Sequence, residues 1–183
     1  MKKVHFIKFG LGLTLAIASV ASYAADTANI VVTATVDPSC TITAAPLSFG
    51  KYNPLNAADT ASTSSLTLAC VKNSKPTVTL SYGGNTAGQG GTERRMTNGT
   101  DFLAYEVYKP LATDPLVDLA NTQCTGSGSD TVIWGADAAS GLHPLAAADA
   151  NPQNYFLCGV IKAGQTGISS GAYSDTLIAT VSF

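Results

Sequence analysis

The sequence predicts an all-β protein whose strands are arranged as a β-sandwich. Short segments in which apolar and polar residues alternate recur along the chain, and residues typical of turns separate them. Gly, Ser and Thr make up nearly a third of residues 25–183, a composition that suits strands and turns better than helices. No long segment repeats its apolar residues with the period of a helix. Hydrophobic residues still make up 45% of the chain, which is enough for a packed core.

Residues 28–36 form the first predicted strand. They place Ile30, Val32, Ala34 and Val36 on one face. Asp37-Pro38 ends the segment, because proline lacks the amide hydrogen that a strand ladder needs. Residues 56–65 are polar and are expected to be a loop. The remaining predicted extended segments are residues 40–43, 47–50, 66–71, 76–82, 94–97, 102–108, 131–134, 155–162 and 173–183.

Two of the connections predict hairpins. The polar residues 72–75 have hairpin length, so segments 66–71 and 76–82 are expected to pair antiparallel. Asn98-Gly99 is a turn signal between segments 94–97 and 102–108. About seven or eight short strands at such intervals are typical of a sandwich.

Charge and the first residues of the chain indicate an exported protein. Ten Lys and Arg residues against twelve Asp and Glu residues give a formal net charge of −2, so a nucleic-acid partner is not expected. Residues 1–24 have a basic start, an apolar run and small residues before a cleavage point at Ala24, the pattern of a signal peptide. The apolar run is shorter than the roughly 20 residues of a membrane span, so no stable membrane insertion is expected.

The four cysteines predict two disulfides in an exported chain. Four cysteines allow three connectivities, and their spacing does not choose among them. A zinc site is disfavoured, because no two cysteines have C-x-x-C spacing and His143 is the one histidine beyond the signal segment.

No catalytic, cofactor-binding or metal-binding residue is identified. His143 lies beside Pro144 in a segment with loop character, and the chain has no G-x-S-x-G elbow. Arg94 and Arg95 are adjacent in a predicted strand and point to opposite faces, which favours a solvated edge over an anion site. The sequence therefore favours a protein that is not an enzyme and needs no cofactor.

Several motifs in this chain resemble the spore coat protein U domain, which Csu-type pilins of the archaic chaperone-usher class share. The resemblance covers nearly all of residues 30–183, with its motifs in the expected order. These motifs are Cys40-Thr41-Ile42, Leu47 to Tyr52, Arg94 to Asn98, Leu103 to Tyr108, Ile133-Trp134-Gly135, Gly159 to Gln165 and Gly171 to Phe183.

The resemblance implies an immunoglobulin-like sandwich that is incomplete and is completed by a donor strand from the next subunit. It implies three kinds of partner: identical or related pilin subunits, a periplasmic chaperone and an outer-membrane usher. The implied donor residues are Ile30, Val32, Ala34 and Val36, and the implied chaperone-facing residues of the C-terminal strand are Leu177, Ala179, Val181 and Phe183. The function implied is a surface pilus subunit with a role in adhesion and biofilm formation.

The same resemblance suggests how the chain is divided and cross-linked. Residues 1–24 are the signal peptide, 25–39 the donor-strand extension and linker, and 40–183 the pilin domain. The family pairs its first two cysteines, which carries over to Cys40 and Cys70 and leaves Cys124 and Cys158 for each other. The short segment before Cys40 favours a shaft or minor subunit over a tip adhesin. The alternative is a self-contained secreted coat or matrix protein in which residues 28–36 complete their own sandwich.

Overall fold

All regular elements in the described residues are β-strands. The computed structural model describes residues 25–87, 90–110, 124 and 132–183; residues 1–24, which include the expected signal peptide, lie outside this set. The strands in these ranges are β1 (Cys40–Ala44), β2 (Thr60–Cys70), β3 (Thr77–Leu80), β4 (Arg94–Thr97), β5 (Phe102–Tyr108), β6 (Gln153–Ile161) and β7 (Ala179–Ser182). Over the same residues, the chain contains no helix with the length and apolarity of a membrane span.

The chain divides into two units, residues 1–35 and residues 36–183. In the second unit the strands form a five-stranded antiparallel sheet in the order β1-β2-β6-β5-β4 and a two-stranded sheet of β3 and β7. Both sheets contribute to one core, in which Trp134 is fully buried and donates its indole N–H to the Val78 carbonyl at 2.8 Å. This arrangement confirms the predicted all-β, immunoglobulin-like sandwich.

The predicted hairpin of segments 66–71 and 76–82 is wrong. β2 pairs with β1 on one edge and with β6 on the other, whereas β3 pairs with β7 in the other sheet. Leu66 and Leu68 on β2 and Val78 and Leu80 on β3 are all buried in the same core. The alternation therefore reports two strands that face each other across the core, and the connection of hairpin length crosses between the sheets.

The predicted loop at residues 56–65 is also partly wrong, because β2 already begins at Thr60. This polar half of β2 pairs with β6, with Thr60 opposite Ile161. Two serines that would otherwise be unsatisfied beside the core donate to backbone carbonyls: Ser62 to Ser48 at 2.6 Å and Ser64 to Ala45 at 2.7 Å. Side chains bonded in this way make a polar strand compatible with burial.

The hairpin at Asn98-Gly99 is confirmed. β4 pairs antiparallel with β5, and Gly99 has a φ of 93°, a conformation that glycine adopts readily. The Asn98 side-chain oxygen accepts hydrogen bonds from the Thr100 and Asp101 amides at 2.9 and 2.8 Å. An asparagine that bonds its own backbone in this way holds the turn closed.

Other predicted strands differ in extent. β6 and β1 match their predicted segments closely, but the C-terminal segment is a ladder strand only over Ala179–Ser182, with a single bridge between Ser174 and Thr97 before it. Segment 47–50 forms no strand, and Ile133 makes one isolated bridge to Tyr108.

Residues 25–39 form no strand in this chain, although 28–36 are predicted to be one. The side chains of Ile30, Val32 and Val36 are 87, 86 and 76% exposed. Alternation creates an apolar face, but a strand also needs a partner for its amides and carbonyls. The segment, hereafter the extension (residues 25–39), has the pattern of a strand without the ladder.

Candidate functional site: an apolar groove between two open strand edges

An apolar groove opens into the core of the second unit. It consists of two adjoining cavities, cavity 1 of about 420 Å³ and cavity 2 of about 660 Å³. Residues 44–54 form one wall and residues 168–179 form the other. The floor of cavity 1 consists of core side chains from both sheets, namely Leu66, Leu80, Tyr105, Val107 and Leu157. For scale, an engineered apolar cavity of about 150 Å³ holds a benzene molecule.

The outer edge of β7 borders this groove and is open. Ser81 donates its amide to the Ile178 carbonyl at 2.9 Å, so hydrogen-bonded pairs with β3 recur at Thr180 and Ser182. Ala179 and Val181 occupy the alternate positions, which means that their amides and carbonyls point away from β3. Among the described residues no further strand pairs with β7.

The second open edge belongs to β1, which in the described part of the chain pairs only with β2. The Ala45 amide donates to Ser65 and the Val71 amide to Ser39, both at 2.8 Å. This register turns the backbone groups of Cys40, Ile42 and Ala44 away from β2. Ala44 and Ala179 both line cavity 1, so two unpaired edges, one from each sheet, border the same opening.

Both disulfide pairings are confirmed. Cys40 and Cys70 are directly opposite each other on β1 and β2, with their Cα atoms 4.0 Å apart, the close approach of a pair that shares no backbone hydrogen bonds. This bridge fixes β1 at the point where the extension enters the folded unit. Cys124 is joined to Cys158 on β6, with a Cα separation of 5.4 Å, and its sulfur lies 3.2 Å from the Ser62 carbonyl oxygen.

Four residues line both cavities and stand between them: Leu47, Phe49, Met96 and Tyr173, hereafter the waist. Gly159 on β6 makes room for two of them, because a Cβ there would lie 2.6 Å from Leu47 Cδ2 and 2.8 Å from Phe49 Cζ. Phe49 also packs edge-on against Tyr105, with ring centroids 5.9 Å apart. The chain's own side chains therefore raise the floor of the groove at its middle.

Hydrogen bonds to the Asp175 carboxylate hold this part of the wall in place. The Tyr105 hydroxyl donates to one carboxylate oxygen at 2.8 Å, and the Gly84 amide and Asn85 side chain donate to the other at 3.0 and 3.1 Å. Burial and this hydrogen bond to Asp175 raise the pKa of Tyr105, so the phenol stays a donor. Gly83 is required beside it, since its φ is +85° and a Cβ would lie 2.0 Å from an Asp175 oxygen.

Of the four residues predicted to face a chaperone, three lie on the inward face of the C-terminal segment and one does not. Leu177 and Ala179 line cavity 1, and Val181 packs against the core. Phe183 is 59% exposed and does not continue the inward face. Their role in chaperone binding stays a prediction.

Arg94 corrects the expectation of a solvated edge, because its side chain is completely buried. It donates to the carbonyls of Ser81 and Leu80 at 3.0 Å each, and to that of Trp134, so it ties β4 to the end of β3. Burial lowers the pKa of Arg94, and nearby Glu106 opposes this shift. The alternation held a signal for this position, since Arg94 shares its face of β4 with Met96, an apolar residue that packs on the core.

His143 makes two hydrogen-bonding contacts at the surface. His143 is exposed; its Nε2 donates to the Ala138 carbonyl at 2.8 Å, and its Nδ1 lies 3.2 Å from the Thr77 hydroxyl. Within residues 25–87, 90–110, 124 and 132–183 no group of three His, Cys, Asp or Glu side chains could hold a metal ion. The feature that stands out is the groove, which suits an extended apolar peptide segment.

The family of this chain is identified by comparison with known proteins. Residues 26–180 match the Spore Coat Protein U domain family. Protein U of Myxococcus xanthus is 29% identical over 199 aligned positions that cover 98% of this chain and 100% of that protein. A crystal structure of the CsuC-CsuE chaperone-tip adhesion subunit pre-assembly complex from archaic chaperone-usher Csu pili of Acinetobacter baumannii aligns with 26% identity and a TM-score of 0.49. That alignment covers 81% of this chain but only 40% of the matched chain.

Proposed function

Because the chain belongs to the Spore Coat Protein U domain family, we propose that it is a structural subunit of a chaperone-usher surface pilus that polymerises by donor-strand exchange. The extension of one subunit enters the groove of the next, with Ile30, Val32, Ala34 and Val36 facing the core. The subunit is exported through the periplasm, and the assembled pilus serves adhesion and biofilm formation at the cell surface.

The observation that carries this proposal is that one chain contains both an exposed apolar extension and an open apolar groove. The extension exposes Ile30, Val32 and Val36, and the groove exposes apolar walls beside the open edge of β7. Burial of a Val or Ile side chain is worth about 1.5 to 3 kcal/mol, so three of them supply about 5 to 9 kcal/mol. The backbone bonds to Ala179 and Val181 add to this and select an extended segment as the occupant.

The same geometry supports a role for a chaperone before assembly. An uncovered strand edge next to apolar side chains is a template for wrong pairing. A periplasmic chaperone that covers β7 keeps Leu177, Ala179 and Val181 from such contacts until an usher brings in the next extension. The chaperone and the usher are the partners that the resemblance to Csu-type pilins implies.

A self-contained secreted coat or matrix protein is the second candidate. The match to Protein U along its whole length favours it. That candidate needs residues 28–36 to complete their own sandwich, whereas Ile30, Val32 and Val36 are exposed. A periplasmic chaperone and an usher encoded beside this gene would favour the pilus.

The test changes Val32 to Asp, with Val31→Asp as the matched control. The two valines are adjacent and 86 and 85% exposed, but they lie on opposite faces of the extension. We expect V32D to be recovered with its chaperone and to form no fibres, because a charge cannot be buried in the groove. V31D keeps its charge in solvent and assembles. Fibre formation by V32D at the V31D level, or loss of chaperone-bound V32D alone, would overturn the donor assignment.

A further inference from the structure

We infer that Ala34 sets the register of the docked extension, because it is the residue that passes over the waist of the groove. This inference rests on the proposed function and adds to it the position of each donor side chain. It makes Ala34 a specificity-determining residue, although alanine contributes little apolar area of its own.

The waist provides the steric part of the argument. Leu47 and Phe49 occupy the space over Gly159, where the other inward positions of β6, such as Leu157 and Ile161, carry large side chains. Met96 and Tyr173 stand at the same level of the groove. A strand lying along the groove therefore finds room in cavity 1 and in cavity 2 but meets a raised floor between them.

The extension has one small residue in a matching position. Its inward residues are spaced by about 6.6 to 6.8 Å, twice the rise per residue of a strand. Ile30, Val32 and Val36 are branched, whereas Ala34 and Ala28 on the same face are small. Only Ala34 has branched inward residues on both sides, because the inward position before Ala28 is the charged Asp26. With Ala34 at the waist, the branched residues on either side reach the cavities. A shift by two residues places Val32 or Val36 against Phe49 and leaves a cavity underfilled.

The open edge of β7 then decides the direction of the strand. The wall passes the waist at Tyr173, borders cavity 1 through Leu177 and continues into β7. If the extension ran parallel to β7 with Ala34 at the waist, Asp37-Pro38 would lie beside β7. Proline has no amide to donate to the open edge. Run antiparallel, the extension places Val32 and Ile30 along cavity 1, residues before Ile30 along β7, and Val36 in cavity 2.

The experiment compares Ala34→Leu with Thr35→Leu in the full exported chain. Both changes add bulk to the exposed extension, so neither disturbs the folded unit, and the thermal unfolding of the monomer serves as the check. We expect A34L to raise the subunit concentration needed for half-maximal polymer by about 10- to 100-fold, the range that overpacking of a core site produces. T35L, which points away from the groove, assembles like the parent.

Two further variants complete the design. Met96→Ala widens the waist, so the A34L/M96A double variant is expected to recover most of the polymer that A34L loses. V32D reports on the proposed function separately. If V32D blocks assembly but A34L polymerises like T35L, the register is wrong and donor-strand exchange stands. If V32D itself polymerises normally, the proposed function fails and the register fails with it.

Discussion

The extension and the C-terminal segment both place apolar residues at alternate positions, but their surroundings differ. Ala179 and Val181 on β7 pack against the core while β3 binds one edge of the strand. Ile30, Val32 and Val36 in the extension are exposed. The comparison shows that the same pattern occurs in a strand that is paired on one edge and in a segment that forms no strand. Among the described residues β7 has no partner on its outer edge, and the extension has neither a backbone ladder nor a buried apolar face.

The largest expected effect is the difference in folding and assembly between deletion of the C-terminal segment and deletion of the extension. Removal of Thr180–Phe183 takes most of β7 from β3 and uncovers the core beside Val78, so we expect aggregation instead of a folded subunit. Removal of residues 25–36 takes only exposed side chains and leaves a monomer that does not polymerise. Size-exclusion chromatography and thermal unfolding distinguish the two. A cooperative unfolding transition in the C-terminal deletion would show that β7 is dispensable.

The next effect concerns the joint between the extension and the folded unit. The disulfides close segments with sequence separations of 30 and 34 residues, so chain entropy alone assigns each about 3 to 4 kcal/mol. C40S/C70S is expected to lose more stability than C124S/C158S, because it also frees β1 at the border of the groove. Denaturant unfolding of both double variants measures the difference. Equal losses would mean that β1 needs no covalent anchor.

The third effect tests the support beneath β7. Arg94 binds carbonyls at the end of β3, the strand on which β7 rests, so Arg94→Met leaves buried acceptors unpaired and is expected to cost about 3 kcal/mol. Arg95 is the matched control. It binds the carbonyls of Asn85 and Thr86 and stacks on Phe102 near the surface, and R95M is expected to cost about 1 kcal/mol. A larger loss in R95M than in R94M would contradict the buried role.

The smallest effect lies away from both segments, at the Asp59–Lys162 ion pair of 2.8 Å. The hydrogen bond from Lys162 lowers the pKa of Asp59 below its ordinary 3.8, so the pair stabilises the fold above that pH and loses its effect as the pH falls through the lowered value. Lys162 has a raised pKa and stays charged throughout this window. An exposed pair is worth about 0.5 kcal/mol.

Asp59→Asn should therefore reduce stability by that amount at neutral pH and not in strong acid, with polymer formation unchanged. Unfolding of D59N and the parent at both pH values measures it. A gap that persists in acid would assign the effect to the amide substitution and not to the lost charge.

Several parts of the fold could be predicted from local sequence. Asn98-Gly99 specifies a hairpin because the turn is made by residues within four positions of each other. The inward faces of β2 and β3 follow from alternation, which needs no knowledge of the partner strand. The disulfides needed more, since the pairing of Cys40 with Cys70 came from the family resemblance and not from spacing.

For the groove, the sequence by itself determined which side chains are apolar and on which face of a strand they lie. Only the tertiary structure decided that β2 pairs with β6 instead of β3, that Arg94 is buried, and that Leu47 and Phe49 fill the space over Gly159. The physical reason is that every residue offers the same backbone donor and acceptor, proline excepted, so hydrogen bonding does not identify a partner. The partner is chosen by how side chains distant in sequence pack together, and within the part of the chain that the structure describes no strand pairs with the extension.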